Sequence, residues 1–547
     1  MGDSVQFSLR RLGLLRLGSV KYAMAVPGYF FRQELADDLA AATGISTAPL
    51  LALQGVLESA DGSVHISRVN VYGIDRRFWK FALTPPADTT IPDGSVWVSQ
   101  AVASRLGGQK TNLLIRLPAE SIVSQDLIFS LEEAKTAAWP VTIGATVSDE
   151  TLGRFGLSAR QEAPLNVFVP IGWLAEKART AGKANLLLAG DGGQKRLGIS
   201  ALNAKLRLLL HPEDLDLQIG CPAGQNAIEL RSSRIFIEEP IARAALASGS
   251  GGTGILTYFV NEIRLNDKSV PYSMISGVGG IPEFDGLRDD EIVIHEWLAD
   301  QLGADAGDRL NLTFFKVAPT RQLIEQNELF TVRRVVPMMG VYADSSLMPD
   351  FPGLAQVENC RDWKPGIPIK LDKIRPQDEL YWDRYKGTPK AFVSLAAAQK
   401  IWANRFGSLT AVRWNTDAVT EQAIRTELMQ RIDAVSLGFL FEDVRSAADT
   451  SASGSTDFAG LFAGLSMFLI FSAAVLLALV FVFHTETRAA QVGLLLACGW
   501  DWLRIFALLM AEGIAVALGG CAAGAAASML YAKGLIAALN TGFWAGA

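Results

Sequence analysis

The sequence of 547 residues predicts a large α+β domain followed by transmembrane α-helices. The membrane part of this prediction rests on two apolar runs: Phe458–Phe483 holds no charged residue, and a second run extends from Gly513 to Ala532. A spanning helix needs about 20 apolar residues because the hydrocarbon core of a bilayer is roughly 30 Å thick. The α+β part rests on helical and strand patterns that alternate before Phe458.

Composition favours a soluble body on a membrane stem. Half of the residues are hydrophobic, and the mean hydropathy of +0.23 is high for a purely soluble protein. The net charge of -6 and the pI near 5.5 argue against a nucleic-acid partner, because phosphate binding needs a basic face. We therefore expect the lipid bilayer, and no nucleic acid, among the partners.

Apolar residues in the body recur at helical spacing in some segments and alternate in others. The segments with helical spacing are Arg32–Ala42, Ile171–Ala181, Pro240–Ala247, Ser394–Arg405 and Ala418–Ile432. The segments typical of strands are Val64–Tyr72, Val96–Val98, Leu113–Ile115, Asn166–Val169, Leu186–Leu188, Ile235–Ile237 and Thr257–Ile263. Their interleaving predicts the mixed α+β class.

One sequence pattern occurs twice in the body. Val96–Gly107 aligns without a gap with Ile292–Gly303, and each segment reads as a strand, a short amphipathic helix and a glycine stop. This repeat predicts two related subdomains, 26–240 and 241–457. Chance similarity between short α/β units is the alternative.

The segment Pro349–Pro389 is rich in proline, aromatic residues and charges of both signs. Its aromatic residues include Trp363, Tyr381, Trp382 and Tyr385. We expect a structured surface loop, and a docking surface for a partner or substrate is the alternative.

Two short motifs resemble metal-binding or cofactor-binding signatures, but the residues around them do not fit those sites. His295-Glu296 resembles the start of a zinc-protease helix, but Ala299 stands where the second histidine would be. The glycines of Gly249–Gly254 follow a helix pattern and precede a strand pattern, the reverse of the order in a dinucleotide-binding loop. No phosphate-binding loop and no Gly-x-Ser-x-Gly elbow occur in the sequence. We expect no cofactor, no metal site and no enzymatic activity.

The four cysteines form no metal-binding spacing. Cys498 and Cys521 belong to the membrane region, so only Cys221 and Cys360 are able to pair in the body. Buried free thiols are the favoured interpretation, and a disulfide is the alternative.

Two glycine pairs and one carboxylate in the membrane region carry information about its helices. Gly460 and Gly464 in the first run, and Gly520 and Gly524 in the second, have the spacing that lets helices pack closely. Glu512 stands at the start of the second run, where a carboxylate is costly unless it lies at the interface or faces protein. We favour an interfacial cap over a proton-relay role for Glu512.

The polar stretch between the two runs predicts a short surface helix. Its spaced residues, together with the following Glu512-Gly513 and a glycine-rich run, resemble the C-terminal signature of the FtsX-like permeases, the MacB and lipoprotein-releasing type of ABC transporter subunit. Residues in the stretch that carry the resemblance, or follow it directly, are Glu486, Arg488, Gln491, Gly493, Leu495, Gly499 and Trp500. Gln491 departs from the pattern, because relatives usually carry an acidic residue there.

The resemblance implies a layout for the whole chain. It implies an extracytoplasmic MacB-like domain over 1–457, transmembrane helices over 458–483 and 505–533, a cytoplasmic coupling connector over 484–504, and a tail over 534–547. It also implies a helix before the domain and another after the tail, so we interpret the chain as an incomplete copy that holds the second and third helices of the family.

The function implied is that of a permease subunit in the bacterial inner membrane. A separate ABC ATPase would bind the connector residues and move the two helices, and the helices would move the outer domain during export or release of a lipid or lipoprotein. A second permease copy would be a further partner. The alternatives are a non-transporting regulator that activates a cell-wall hydrolase and, third, a membrane-anchored hydrolase.

Overall fold

The computed structural model describes residues 11–540 apart from 108–111, 118–136, 159–161, 191–196, 223, 250, 281, 285, 318–322, 352, 355–356, 361–362, 364–367 and 455–457. These residues fall into two units, a body within Ser8–Ser453 and a membrane segment that begins at Gly454.

The first sheet of the body has nine strands. Its strands are β1 (Tyr22–Ala25), β3 (Ser46–Ser59), β4 (His65–Ile74), β5 (Ser95–Ser99), β6 (Asn112–Leu117), β7 (Ala137–Val147), β8 (Asn166–Pro170), β10 (Leu186–Gly190) and β20 (Glu442–Asp443). They are hydrogen-bonded in the order β20, β1, β10, β3, β4, β8, β5, β7, β6. A separate small pair joins β2 (Phe31–Arg32) to β9 (Lys183–Ala184).

The second sheet also has nine strands. They are β11 (Leu217–Gly220), β12 (Ala227–Ser232), β13 (Thr253–Leu265), β14 (Lys268–Val278), β15 (Glu291–His295), β16 (Arg309–Val317), β17 (Leu323–Val336), β18 (Ala391–Ser394) and β19 (Ala411–Asn415). Their order is β11, β12, β19, β13, β14, β18, β15, β17, β16.

The helices of the body connect these strands and cover the sheets. They are α1 (11–17), α2 (Leu35–Thr43), α3 (Gln100–Leu106), α4 (Ile171–Lys177), α5 (Ile199–Leu209), α6 (Glu239–Leu246), α7 (Glu296–Leu302), α8 (Pro376–Tyr385), α9 (Leu395–Trp402), α10 (Glu421–Arg431) and α11 (Val444–Gly454).

Each sheet closes part of itself into a ring. β3 pairs with β4 along one edge. Along its other edge, β3 pairs with β10 through its first residues and with β6 through its last residues. Strands β3, β4, β8, β5, β7 and β6 therefore form a closed ring. β13 has the same double role, with β19 and then β16, and closes a second ring through β14, β18, β15 and β17.

The two rings match strand for strand. β4 and β8 run parallel, as do β14 and β18, and the register shifts at Val96/Trp97 in β5 and at Ile292/Val293 in β15. The predicted strand, helix and glycine pattern is confirmed in both copies, since α3 ends at Gly107 with φ 67° and α7 ends at Gly303 with φ 66°. The boundaries of the two subdomains stay a prediction.

A matching pair of glycines lets one helix lie against each ring. A Cβ on Gly73 would lie 3.1 Å from the Cα of Ile171 in α4, and a Cβ on Gly277 would lie 2.3 Å from the Cβ of Ala398 in α9. Both positions therefore need a residue without a side chain.

The outermost strand of each sheet comes from the other half of the chain. β11 follows α5 of the N-terminal half but pairs with β12, and β20 follows α10 of the C-terminal half but pairs with β1. One apolar cluster accordingly contains residues of both sheets, for example Leu51 and Leu230. The two halves share a core.

Two sequence predictions for the body are wrong. Ile235–Ile237 is a turn in which Ile235 has φ 71° and Ile237 makes a single bridge to Leu409, because these apolar residues are buried without being extended. The segment Pro349–Pro389 is not a surface loop, since it includes α8 and buries its large aromatic side chains in the second half: Trp363, Tyr381 and Trp382. These three rings are not exposed to a partner, and the docking alternative for the segment stays a prediction.

Helix ends also differ from the predicted ones. The helix predicted to reach Ala181 ends at Lys177, because Arg179 takes a positive φ of 54° that breaks the helix. Each of the other predicted body helices lies within about three residues of its observed bounds.

Candidate functional site

Two long helices follow the body. α12 (Phe458–Thr487) and α14 (Trp502–Asn540) each contain a stretch long and apolar enough to cross a membrane, Ala463–Thr487 and Trp502–Gly534. Their large apolar side chains are exposed, as in Phe468 at 71%. A helix of a soluble core would bury such side chains, so these surfaces fit contact with lipid.

A short connector helix, α13 (Ala489–Ala497), lies between the two long helices and confirms the predicted short helix. At its end Gly499 has φ 80° and donates its N–H to the carbonyl of Leu496 at 3.0 Å, while the N–H of Trp500 donates to the carbonyl of Leu495 at 3.1 Å. A side chain would be strained at this φ. Gly499 therefore terminates α13.

Two residues of the sequence signature meet across the connector. Arg488, at the N-terminal end of α13, donates from Nη1 to Oε2 of Glu512 in α14 at 2.6 Å. Glu512 lies ten residues after the start of α14 at Trp502, so it is not a helix cap as predicted. The helix begins before Gly513, where the apolar run begins, because most residues of Trp502–Ala511 are also apolar. The interfacial position of Glu512 stays a prediction.

The two long helices approach each other closely at Gly513, the residue that follows Glu512. A Cβ on Gly513 would lie 2.8 Å from Cε2 of Phe481, so α12 and α14 come together beside the Arg488–Glu512 pair. The sequence analysis missed this role of Gly513, although its place directly after Glu512 was a usable signal. The ion pair ties the connector to α14, and the glycine lets α14 approach α12 closely.

The predicted packing glycines lie elsewhere. A Cβ on Gly464, Gly520 or Gly524 would meet nothing within 4 Å among the described residues. Gly460 lies in the first turn of α12. Close packing at these positions would need a helix outside the described chain, and it stays a prediction.

The connector helix has two faces. Arg488, Val492 and Leu495 are partly buried, whereas Leu494 and Trp500 are exposed at 67% and 45%. Leu495 lies on the same partly buried side as Arg488 and Val492, and its contact with an ATPase stays a prediction. The exposed signature residues are Glu486, Gln491, Gly493, Gly499 and Trp500.

The body holds a buried polar cluster that the sequence analysis did not predict. Lys390 precedes β18, and its Nζ lies 3.8 Å from Oδ1 of Asp378 and over the rings of Trp297 and Tyr381. Asp378 also accepts from Nε and Nη2 of Arg375 at 2.9 and 3.0 Å. The signal was a lysine placed directly before the apolar strand 391–394.

His295 extends this cluster from the end of β15. Its Nε2 lies 3.0 Å from the hydroxyl of Tyr381, and its Nδ1 accepts from the backbone N–H of Leu298. Burial, and then the charge of Lys390, lower the pKa of His295 to about 3. Burial lowers the pKa of Lys390 to about 8.

The space beside this polar cluster is small. The cavity beside Lys390, Cys360 and Trp363 has a volume of about 20 Å³, enough for one water molecule. Burial raises the pKa of Cys360 to about 12, which suppresses thiolate chemistry. In the described ranges, no group of three or more His, Cys, Asp or Glu could hold a metal ion.

No protein-family model and no curated protein match the sequence. The periplasmic region of MacB from Actinobacillus actinomycetemcomitans is similar at 11% identity, with a TM-score of 0.24 over 35% of this chain and 83% of that chain. The extracellular domain of the noncanonic ABC-type transporter YknZ from Gram-positive bacteria is similar at 12% identity, with a TM-score of 0.22 over 35% of this chain and 91% of that chain. Both scores are low, and neither similarity assigns a fold.

Proposed function

We propose that this chain is the permease subunit of a bacterial ABC complex, in which a separate ATPase moves the two membrane helices. The observation that carries the proposal is the ion pair between Arg488 and Glu512, at 2.6 Å. Both residues belong to the permease-like signature, and the pair ties the connector to the second long helix.

The connector has the properties that such coupling needs. Its inner face carries Arg488, which pairs with Glu512, and the partly buried Leu495, while Leu494 and Trp500 remain exposed for a partner. A partner that pushes on the exposed face would therefore displace both helices rather than bend the connector. Tryptophan side chains are frequent anchors of protein interfaces, and a charge introduced beside such an anchor at Leu494 would disrupt its burial.

The cytoplasmic connector, the extracytoplasmic body and the inner-membrane location are parts of the same proposal. The large body would move with the helices, and a second copy of the chain would provide the helix that packs against Gly464, Gly520 and Gly524. The transported molecule is not part of the proposal.

Affinity capture of the full-length protein, co-expressed with ATP-binding cassette subunits of its genome, tests the proposal. We expect capture of one such ATPase by the wild type, and Leu494→Glu should weaken it on the order of ten-fold. The matched control is Leu380→Glu, at a similarly exposed position of α8 in the body (69%), which should leave capture unchanged. No capture by the wild type, or equal capture by Leu494→Glu, would contradict the proposal.

A further inference from the structure

The last strand of the body belongs to the first sheet although it is encoded at the end of the second half. β20 pairs with β1 through two residues only, Tyr22 with Asp443 and Ala23 with Glu442. Helix α11 follows β20 directly, and the chain then continues into α12. Any displacement carried by α12 therefore passes through α11, which packs on the first half through Val444 and Ala448, to this pairing.

A side-chain clasp supports the short pairing. Asn203, on α5 of the first half, accepts from the backbone N–H of Phe441 at 2.8 Å and donates its amide to the carbonyl of Phe441 at 3.2 Å. Both bonds cross 238 positions of sequence. Because one amide satisfies both backbone groups of Phe441, it fixes the chain in the orientation that β20 needs.

Apolar and charged contacts continue on both sides of the clasp. Phe439 packs its ring against Tyr29 at 5.6 Å, and Phe441 is fully buried. After β20, the N–H of Arg445 donates to the carbonyl of Lys21 at 3.3 Å, and its guanidinium donates to the carbonyl of Gly18. The segment 439–445 is thus attached to the first half along its whole length.

We infer that Asn203 is a positioning residue of the proposed permease: it locks segment 439–445 to β1, so that motion of the membrane helices enters the first sheet before the second. The inference rests on the proposed function. It assigns the transmission of displacement to one joint, built from β1, β20 and the Asn203 clasp.

The β11–β12 pairing, which is the reciprocal strand exchange between the two halves, shows why β20 needs the Asn203 clasp. β11 pairs with β12 through four residues, twice the length of the β1–β20 pairing. A two-residue pairing alone would open readily, because few hydrogen bonds compensate for ordering the chain.

Hydrogen exchange in the ATPase-bound complex tests the inference. In the wild type, the exchange of β1 and segment 439–445 should change together between the ATP-bound and the nucleotide-free complex. In Asn203→Ala, the segment should exchange on the order of ten-fold faster, since two hydrogen bonds are lost, and β1 should no longer respond to nucleotide. A disulfide between Ala23→Cys and Glu442→Cys, at directly paired positions, should restore the response of β1 in the Asn203→Ala background.

The control variant is Asn226→Ala, which removes an exposed amide contact to Asp417 away from the joint. It should leave the response of β1 unchanged. A nucleotide response of β1 that survives in Asn203→Ala would overturn the inference while leaving the proposed function intact. Failure of the wild type to bind any ATPase would instead overturn the proposed function. A disulfide that does not restore the response would also contradict the role of the joint.

Discussion

The two closed rings of the body share strand order and register but differ in the polar groups buried at equivalent positions. If Gly73 and Gly277 are aligned, Asn166 at the start of β8 corresponds to Lys390 before β18, and Ser99 corresponds to His295. The first ring buries a neutral amide. The second buries an ammonium group.

Local partners explain the difference. The amide of Asn166 donates to the carbonyls of Gly153 and Phe155 at 3.1 and 2.7 Å, within the short link between β7 and β8. The longer link between β17 and β18 includes α8, which supplies Asp378 and Tyr381 to Lys390. The ring therefore sets the position of the buried polar group. The connecting segment supplies its partners and so determines which polar side chain is stable there.

The largest expected effect follows from removing the counter-charge. Asp378→Ala should lower the free energy of unfolding by about 3 kcal/mol or more, because Lys390 and Arg375 lose their carboxylate in a buried site. Asn166→Ala should cost about 2 kcal/mol, since only neutral groups, the carbonyls of Gly153 and Phe155 and the amide of Asn70, lose a partner. Denaturant titration of the full chain in detergent, followed by tryptophan fluorescence, measures both. An equal cost for the two variants would break the comparison.

A second effect concerns the glycines under the helices. Gly277→Ala should destabilise the protein by about 2 to 3 kcal/mol and Gly73→Ala by about 1 kcal/mol, because the new Cβ meets Ala398 at 2.3 Å in one ring and Leu174 at 3.0 Å in the other. The same titration gives both values. Ala398→Gly should recover part of the loss in Gly277→Ala, and no recovery would show that the helix contact is not the cause.

A third effect is the pH dependence that His295 adds in the second ring. His295 has a folded-state pKa of about 3 against an ordinary value of 6.5, so between these values the unfolded chain binds a proton that the folded protein excludes. Stability should therefore fall as the pH drops from 6.5 towards 3, by roughly 2 kcal/mol at pH 5 for this residue. Denaturant midpoints at pH 7 and pH 5 measure the change.

The matched variant for this test is His295→Ser, which places the residue of the first ring in the second. Its drop in stability between pH 7 and pH 5 should be smaller than that of the wild type, even though it also loses the contact with Tyr381. A drop of the same size in the variant would assign the pH dependence to other groups.

Local patterns were predictable from the sequence, whereas long-range pairings were not. The repeated segments at Val96 and Ile292 were recognised because a strand, a helix and a glycine each leave a periodic signal. β20 left no signal, because a two-residue strand has no period, and its partner β1 lies more than 400 residues away. The burial of Trp363 was missed because proline and charges around it are typical of loops.

The connector was predicted only in part, because its helix leaves a local pattern in the sequence and its ion pair does not. The helix α13 was expected, and Arg488 and Glu512 belonged to the sequence pattern. The pairing of Arg488 with Glu512 was missed, because it depends on how α13 and α14 lie against each other, which local sequence patterns do not encode.

The reciprocal placement of β11 and β20 has a consequence for any half-length form of this body. A protein made of one half alone would leave β1 or β12 as a bare edge, which invites association with a second chain. Two such half-length chains would complete each other by strand donation, so a gene for one half would encode an obligate dimer.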